Sequence, residues 1–266
     1  MIEVKGQGGI SAKVIADSIS EQGVRLTTFE FNFPRWILAE VNTHRMLSKN
    51  AASSRAVPVG DAIAAIESNP AMPIHWGANN PGMVSKQELD DTRVGAAISI
   101  WEAAVKNACA FARVASDKLG INGHKQWVNR MIETYSFTKQ VITGTEWANF
   151  FWLRYHPDAQ PEFQELARCA KEAMELSKPN FLKAGEWHLP YITVDFDDTG
   201  IAYWLDKDTQ LDLETAKRIS ASCCAQVSYR KLDDSVEKAQ KIFGMLNIGS
   251  KDKPQHVSPV EHQATP

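Results

Sequence analysis

Arg25-Leu26-Thr27-Thr28-Phe29-Glu30-Phe31-Asn32-Phe33-Pro34 is the stretch on which the fold turns. Phe29, Phe31 and Phe33 alternate with Glu30 and Asn32, a period of two that places three rings on one face of a strand over 25–33. Pro34 ends the strand and can open a helix, because its missing N–H is not needed in a first turn. Residues 35–45 then read as a helix with Trp36, Ile37 and Val41 on or near one side. Its end delivers Thr43, His44 and Arg45 into a polar stretch, 48–55, expected to be a loop.

Downstream the period changes to that of helices. Residues 57–90 hold Pro70, Pro73, Gly77, Asn79, Asn80, Pro81 and Gly82, and read as surface connections around one short helix, 61–67. A long helix is expected over 91–119, with Val94, Ile98, Trp101, Val105, Ala108 and Ala112 as its core stripe and Gly120 as its stop. Further helices are expected over 146–155, interrupted by Pro157, and over 159–177 with Phe163, Leu166, Ala170 and Met174 inward. Two more follow at 213–222 and 234–246, the latter with Val236, Ala239, Phe243 and Leu246 on one face. The pattern predicts a helix-rich α+β protein.

At 266 residues the chain can bury a sizeable core without disulfides or metals. Twenty-nine Lys and Arg against 32 Asp and Glu give a net charge of −3, which supplies no electrostatic reason to bind nucleic acid or an anionic membrane. No apolar run reaches the roughly 18–20 residues of a spanning helix. Met1 to Ser18 lacks a continuous apolar core, so no secretory signal is expected. Cys109, Cys169, Cys223 and Cys224 show no C-x-x-C spacing, and the adjacent pair would point to different helix faces. A reducing, cytoplasmic compartment is expected.

Thr43-His44-Arg45-Met46-Leu47-Ser48-Lys49-Asn50-Ala51-Ala52-Ser53-Ser54-Arg55 carries two guanidinium groups, an imidazole and several hydroxyl and amide donors within thirteen residues. Such a set suits an anion, since Arg holds phosphate through two parallel hydrogen bonds; on composition alone it also suits a solvated loop. The spacing resembles the signature of the flavin-dependent thymidylate synthases (ThyX), Arg-His-Arg, seven residues, Ser. Thr143-Gly-Thr-Glu-Trp-Ala-Asn149-Phe150-Phe-Trp-Leu153-Arg154, followed by Asp158-Ala159-Gln160-Pro-Glu162, is similar to that family's Asn…Phe…Leu-Arg…Ala-Gln-x-Glu segment. On a helix, Glu146, Asn149 and Phe150 would share one side, near an aromatic wall of Phe150, Phe151 and Trp152. Between the two motifs, His124 to Ile132 resembles the family stretch whose Arg holds nucleotide phosphate, here Arg130; a helix-surface Arg is the alternative.

A further match lies at the far end. The family's usual opening, Val-Ser-Phe/Tyr, a helix, then His-x-Ser/Thr-Pro-Phe-Glu-His, is similar to Val227-Ser228-Tyr229, the helix around 235–246, and His256-Val257-Ser258-Pro259-Val260-Glu261-His262. The chain therefore resembles a circularly permuted member, one catalytic domain over 1–266 with the usual opening segment at about 221–266. A solvated tail, or a metal site of His256, Glu261 and His262, are the alternatives; no third and fourth ligands are spaced for metal, and none is expected. Three departures stand out: Thr43 for the first Arg of the triplet, Glu40 for Gln and Thr143 for Asn. Ala51 also replaces an acidic residue.

The resemblance implies a ThyX-like fold with a small, mostly antiparallel sheet, and a homotetramer whose sites draw on several subunits. It implies reductive methylation of dUMP to dTMP with FAD, NADPH and methylenetetrahydrofolate. Arg154 would be catalytic, stabilising charge on the uracil ring. Glu40, Ser53, Ser54, Arg55, Arg130 and Arg154 would bind dUMP. Thr43, His44, Arg45, Thr143, Asn149 and Ser258 would lie at FAD. Two alternatives remain: a related flavin-dependent methylase or hydroxymethylase acting on another pyrimidine deoxynucleotide such as dCMP, or a flavin- or nucleotide-binding protein without catalysis, suggested by Thr43 and Ala51.

Overall fold

The structure is a computed structural model that describes residues 1–197, 200–205, 208–228 and 232–266. Its sequence of elements begins β1 (Ile2–Lys5), β2 (Ser11–Ser20), β3 (Arg25–Pro34), α1 (Leu38–Val41), β4 (Ser48–Ala51), α2 (Val59–Ser68) and α3 (Asp91–Ser116). It continues with α4 (Lys125–Val128), β5 (Phe137–Gly144), α5 (Ala148–Arg154), α6 (Pro161–Leu176) and β6 (Asn180–Leu182). The last are β7 (Thr193–Asp197), β8 (Gly200–Trp204), β9 (Gln210–Leu211), α7 (Leu213–Ala225) and α8 (Val236–Leu246). This is an α+β fold. One sheet runs β1-β2-β3-β5-β4, antiparallel throughout, with β6 joining β2 in parallel; β7-β8-β9 form a second, small antiparallel sheet.

The Phe-rich strand is β3, at the centre of the larger sheet. Phe29, Phe31 and Phe33 are fully buried with Phe150, Phe163, Leu166 and Ala170 of α5 and α6. Trp147 meets Phe29 edge-on at 5.0 Å. Each such ring contributes about 1.5–3 kcal/mol of burial, so this face organises the molecule. The alternate residues, Thr28 and Glu30, point to the opposite face, where Ile15 and Val141 pack with Cys224 and Val227. Cys223 packs instead with Tyr203, Ile219 and Ala239. The neighbouring cysteines do face different clusters, and all four are buried and unbridged.

Only one strand was legible from alternation, and the reasons are local. In β2, Val14 pairs with Phe29 and Ala16 with Thr28, leaving Ile15 as an extra residue. A bulge of this kind shifts the alternation halfway along the strand. β5 is covered on both faces, Val141 in one cluster and Ile142 in another, so its apolar run carries no period of two.

Three further expectations need correction. The helix expected over 35–45 is a 3-10 turn at Arg35–Ile37 and a single α turn, α1. Thr43 donates both its hydroxyl (2.6 Å) and its N–H (3.0 Å) to the Glu40 carbonyl, and the Lys49 ammonium takes the carbonyls of His44 and Leu47. Side chains that capture carbonyls in this way compete with helix continuation. The loop expected over 48–55 contains β4, a polar edge strand in register with β5 from Ser48↔Thr143 to Ala51↔Gln140. The long helix α3 stops at Ser116 rather than 119, because the Asp117 carboxylate accepts the Leu119 N–H in a turn of its own; Gly120 lies beyond. The other helices agree with their predicted spans to within a few residues. No helix among the described residues is long and apolar enough to cross a membrane.

Candidate functional site

The two motifs, more than a hundred residues apart in sequence, meet at Arg154. This residue ends α5, and α5 is held by Phe150, which is inserted against Phe31 and Phe163. The Arg154 Nε–H donates to His44 Nε2 at 2.9 Å, Nη2 donates to the Thr43 hydroxyl at 3.3 Å, and Nη1 lies 3.8 Å from Glu40 Oε2. Its guanidinium stacks over Phe163, 4.5 Å from the ring centroid. Four neighbours thus fix the plane of the guanidinium, which a Lys ammonium could not reproduce.

His44 sits edge-on to Phe150 and Phe163. Burial, then the charges of Arg154 and Lys49, lower its pKa from 6.5 to about 4. It is therefore neutral near pH 7, and because Nε2 accepts from Arg154, the ring proton resides on Nδ1. Burial also lowers the Lys49 pKa. Arg45 and Asn149 are exposed and make no side-chain bond among the described residues. Asn149 does not share a side with Phe150, as the helical spacing suggested. The two are consecutive, about 100° apart on a helix, one exposed and one buried. The expected aromatic wall divides likewise, with Trp152 76% exposed.

A second locus is a cavity of about 410 Å³ between α2 and the ends of β3 and β5. Ser53 and Ser54 line it together with Arg35, Asn129 and Glu133, three residues that motif reasoning did not select. The signal available for Asn129 was its adjacency to Arg130. Asn129 donates to the carbonyls of Ser54 (2.7 Å) and Val57 (2.9 Å), tying the serine turn to the 129–131 turn. Arg35 Nε lies 3.0 Å from Glu133. Burial alone would raise the Glu133 pKa, but the neighbouring Ser54 hydroxyl, the hydrogen bond from Arg130 and the charges of Arg35 and Arg130 outweigh it and leave the carboxyl below its usual value. Arg130 is exposed and reaches the partly buried Glu133 at 2.8 Å; Glu133 is also held by Arg35 at 3.0 Å, so Arg130 could turn to a phosphate without leaving the carboxylate unpaired. Arg55 is exposed. Arg154 and His44 do not line this cavity.

Thr143 and the C-terminal stretch form a third locus. Thr143 is buried, its hydroxyl within 2.7 Å of Thr28 Oγ1 and 2.8 Å of His262 Nδ1. Pro259 and His262 are buried, Ser258 is partly buried, and Gln263 donates to the Lys217 carbonyl at 2.7 Å. Residues 259–264 are thus packed rather than a solvated tail; His256, Val257 and Glu261 are exposed. Tyr229 lies outside the described residues. Among the described residues no group of three His, Cys, Asp or Glu is placed to hold a metal.

No protein-family model matches the sequence, and no curated protein does. Solved structures give partial likenesses. The flavin-dependent thymidylate synthase ThyX from Helicobacter pylori, complexed with FAD and dUMP, is 21% identical over 56% of this chain and 67% of that chain, with a TM-score of 0.37. A UMP/dUMP methylase, PolB from Streptomyces cacaoi, bound with 5-Br UMP, is 13% identical over 64% of this chain and 90% of that chain, with a TM-score of 0.49.

Proposed function

We propose that this chain is a flavin-dependent methylase of a pyrimidine deoxynucleotide, acting as a thymidylate synthase on dUMP. The observation that carries the reading is the convergence of Glu40, Thr43, His44 and Arg154 from the two motifs whose spacing resembles ThyX. A guanidinium clamped by an imidazole, a hydroxyl, a carboxylate and an aromatic face is pre-organised to meet charge developing on a ring carbonyl.

The donors around it fit an anionic dinucleotide. Arg45, Arg55 and Asn149 are exposed and uncommitted among the described residues, and His44 keeps an Nδ1–H beyond its bond to Arg154. In this reading Arg45, His44, Asn149, Thr43 and Ser258 hold FAD, which supplies the hydride chemistry when bound. Thr143, buried on the opposite sheet face with its hydroxyl held by Thr28 and His262, would act through the fold rather than by touching FAD. Ser53, Ser54, Arg55 and Arg130 hold the nucleotide, with Glu40 beside Arg154. NADPH and methylenetetrahydrofolate are the co-substrates. The Arg154 cluster and the serine-lined cavity are separate in one chain; a homotetramer joins them across subunits, and exposed Met46, Trp152 and Tyr155 offer apolar surface near Arg154 for such a contact. The compartment is the cytoplasm.

The permuted order also has support. Ala264, Thr265 and Pro266 line one cavity with Leu26 of β3, so the C-terminal segment reaches the strand it would precede in the family order.

Purified protein tests the reading. Oxidised-flavin absorbance, or uptake of added FAD, together with tritium release from labelled dUMP is expected. FAD uptake with tritium release from dCMP instead would move the substrate. FAD uptake without turnover of either nucleotide would favour the binding protein that Thr43 and Ala51 suggest. A colourless protein that takes up neither FAD nor nucleotide overturns the proposal.

A further inference from the structure

On the sheet face opposite the aromatic core, five side chains form one continuous line of hydrogen bonds. Ser18 Oγ lies 2.8 Å from His188 Nδ1, and His188 Nε2 lies 2.7 Å from Thr28 Oγ1. Thr28 Oγ1 lies 2.7 Å from Thr143 Oγ1, which lies 2.8 Å from His262 Nδ1. None of the five residues is more than 6% exposed. They come from β2, β3, β5, the segment between β6 and β7, and the C-terminal stretch. One end opens on a cavity of about 290 Å³ lined by Ser18, His188, Thr145 and Thr265. The other end is His262 Nε2, a buried atom with no hydrogen-bond partner among the described residues.

Counting protons restricts what this line can do. Burial lowers both histidines to about pKa 4, so each is neutral near pH 7 and carries one N–H and one lone pair. If Ser18 donates to His188, then His188 Nε2–H donates to Thr28, Thr28 to Thr143 and Thr143 to His262 Nδ1, and His262 carries its proton on Nε2. In the opposite sense His262 Nδ1–H donates to Thr143, and every bond reverses back to Ser18. The two histidines hold the same tautomer in both. Mixed tautomers fail: one combination leaves a hydroxyl hydrogen without an acceptor in the line, the other leaves two oxygens 2.7 Å apart with no hydrogen between them. An unmade buried hydrogen bond costs about 1–3 kcal/mol.

We propose that Ser18, His188, Thr28, Thr143 and His262 form a single proton relay between the Ser18 cavity and the buried Nε2 of His262. One passage takes a proton onto Ser18 as Ser18 gives its own to His188 Nδ1. His188 Nε2 then gives its proton to Thr28, Thr28 to Thr143 and Thr143 to His262 Nδ1, and the His262 Nε2 proton leaves. Each group ends with as many protons as it began with, and one has crossed; the reverse passage restores the first arrangement. The recipient is a lone-pair atom, a ring nitrogen or a carbonyl oxygen. The relay consists of protein groups only and does not rest on the flavin reading, which supplies no more than the identity of that recipient.

The test uses the full chain without flavin, labelled with 15N-histidine. Long-range 1H–15N correlations are expected to show His188 and His262 in the same tautomer, and opposite tautomers or a cationic ring at neutral pH overturn the relay. Thr28→Val cuts the line, so the two histidines should no longer share one tautomer, and Thr28→Ser should restore the match. A single shared tautomer in a folded Thr28→Val overturns the proposal, and the wild-type tautomers decide it even if that variant folds poorly.

Discussion

Acidification from about pH 7 to about pH 5 should destabilise this protein through two histidines. His188 and His262 are each lowered from 6.5 to about 4, by burial first; for His188 the neighbouring His262 adds to this and Asp17 opposes it. A folded-state pKa below the unfolded value means that the unfolded chain binds more protons between the two, so stability is present above about 6.5 and is lost as pH falls toward 4. At about pH 5 an unfolded histidine is almost fully protonated while its buried counterpart is mostly neutral, a difference worth about 2 kcal/mol. The pair therefore removes about 4 kcal/mol, against a typical total of roughly 5–15. His44 acts in the same direction, less strongly because it is partly exposed. Urea unfolding at both pH values, followed by circular dichroism, measures the loss. His262→Gln, whose side chain does not titrate, should be less stable at neutral pH yet lose only about 2 kcal/mol from the buried pair on acidification. A variant with the full wild-type pH dependence would refute the assignment of a buried, neutral His262.

Arg154→Lys should abolish most turnover while nucleotide binding remains measurable, because Lys cannot keep the bond to His44 and the stack on Phe163; the loss expected for a misplaced charge-stabilising donor is about 2.7–4 kcal/mol, and full tritium release from labelled dUMP would contradict the role. Thr43→Arg should tighten FAD binding by supplying a cation beside Arg154 and Glu40, read by flavin fluorescence quenching; weaker binding would show that the pocket is built around Thr. Phe150→Ala should cost about 3–5 kcal/mol in unfolding free energy, and a loss under about 1 would mean that the ring does not anchor α5. Truncation after Pro254 should keep most of the helical signal but melt earlier, since it removes buried His262 and its bond to Thr143, and flavin titration of the folded fraction should show weakened binding; wild-type affinity would make the C-terminal resemblance accidental.

The sequence by itself determined those features whose signal is local. Alternating Phe29, Phe31 and Phe33 announced β3, and 3.6-residue periodicity announced α3, α6 and α8, because a single buried face imprints its period on the chain. Two short motifs, with Glu40 just ahead of the first, marked Thr43, His44 and Arg154 as site residues, but for different ligands; only the fold brings the four together. Tertiary structure decided the rest. β5 has both faces covered, so it shows no alternation; β2 carries a bulge at Ile15; and β4 is polar because it lies at the sheet edge. The Ser53–Ser54 cavity depends on Arg35 and on the Asn129–Glu133 turn far downstream of it, which acquire meaning only when α2 and β5 are packed together. The Ser18–His188–Thr28–Thr143–His262 line has no sequence signature, since its members are single residues from five segments. Their hydrogen bonds exist because burial removes water as the alternative partner, and only the packed fold decides which groups are buried together.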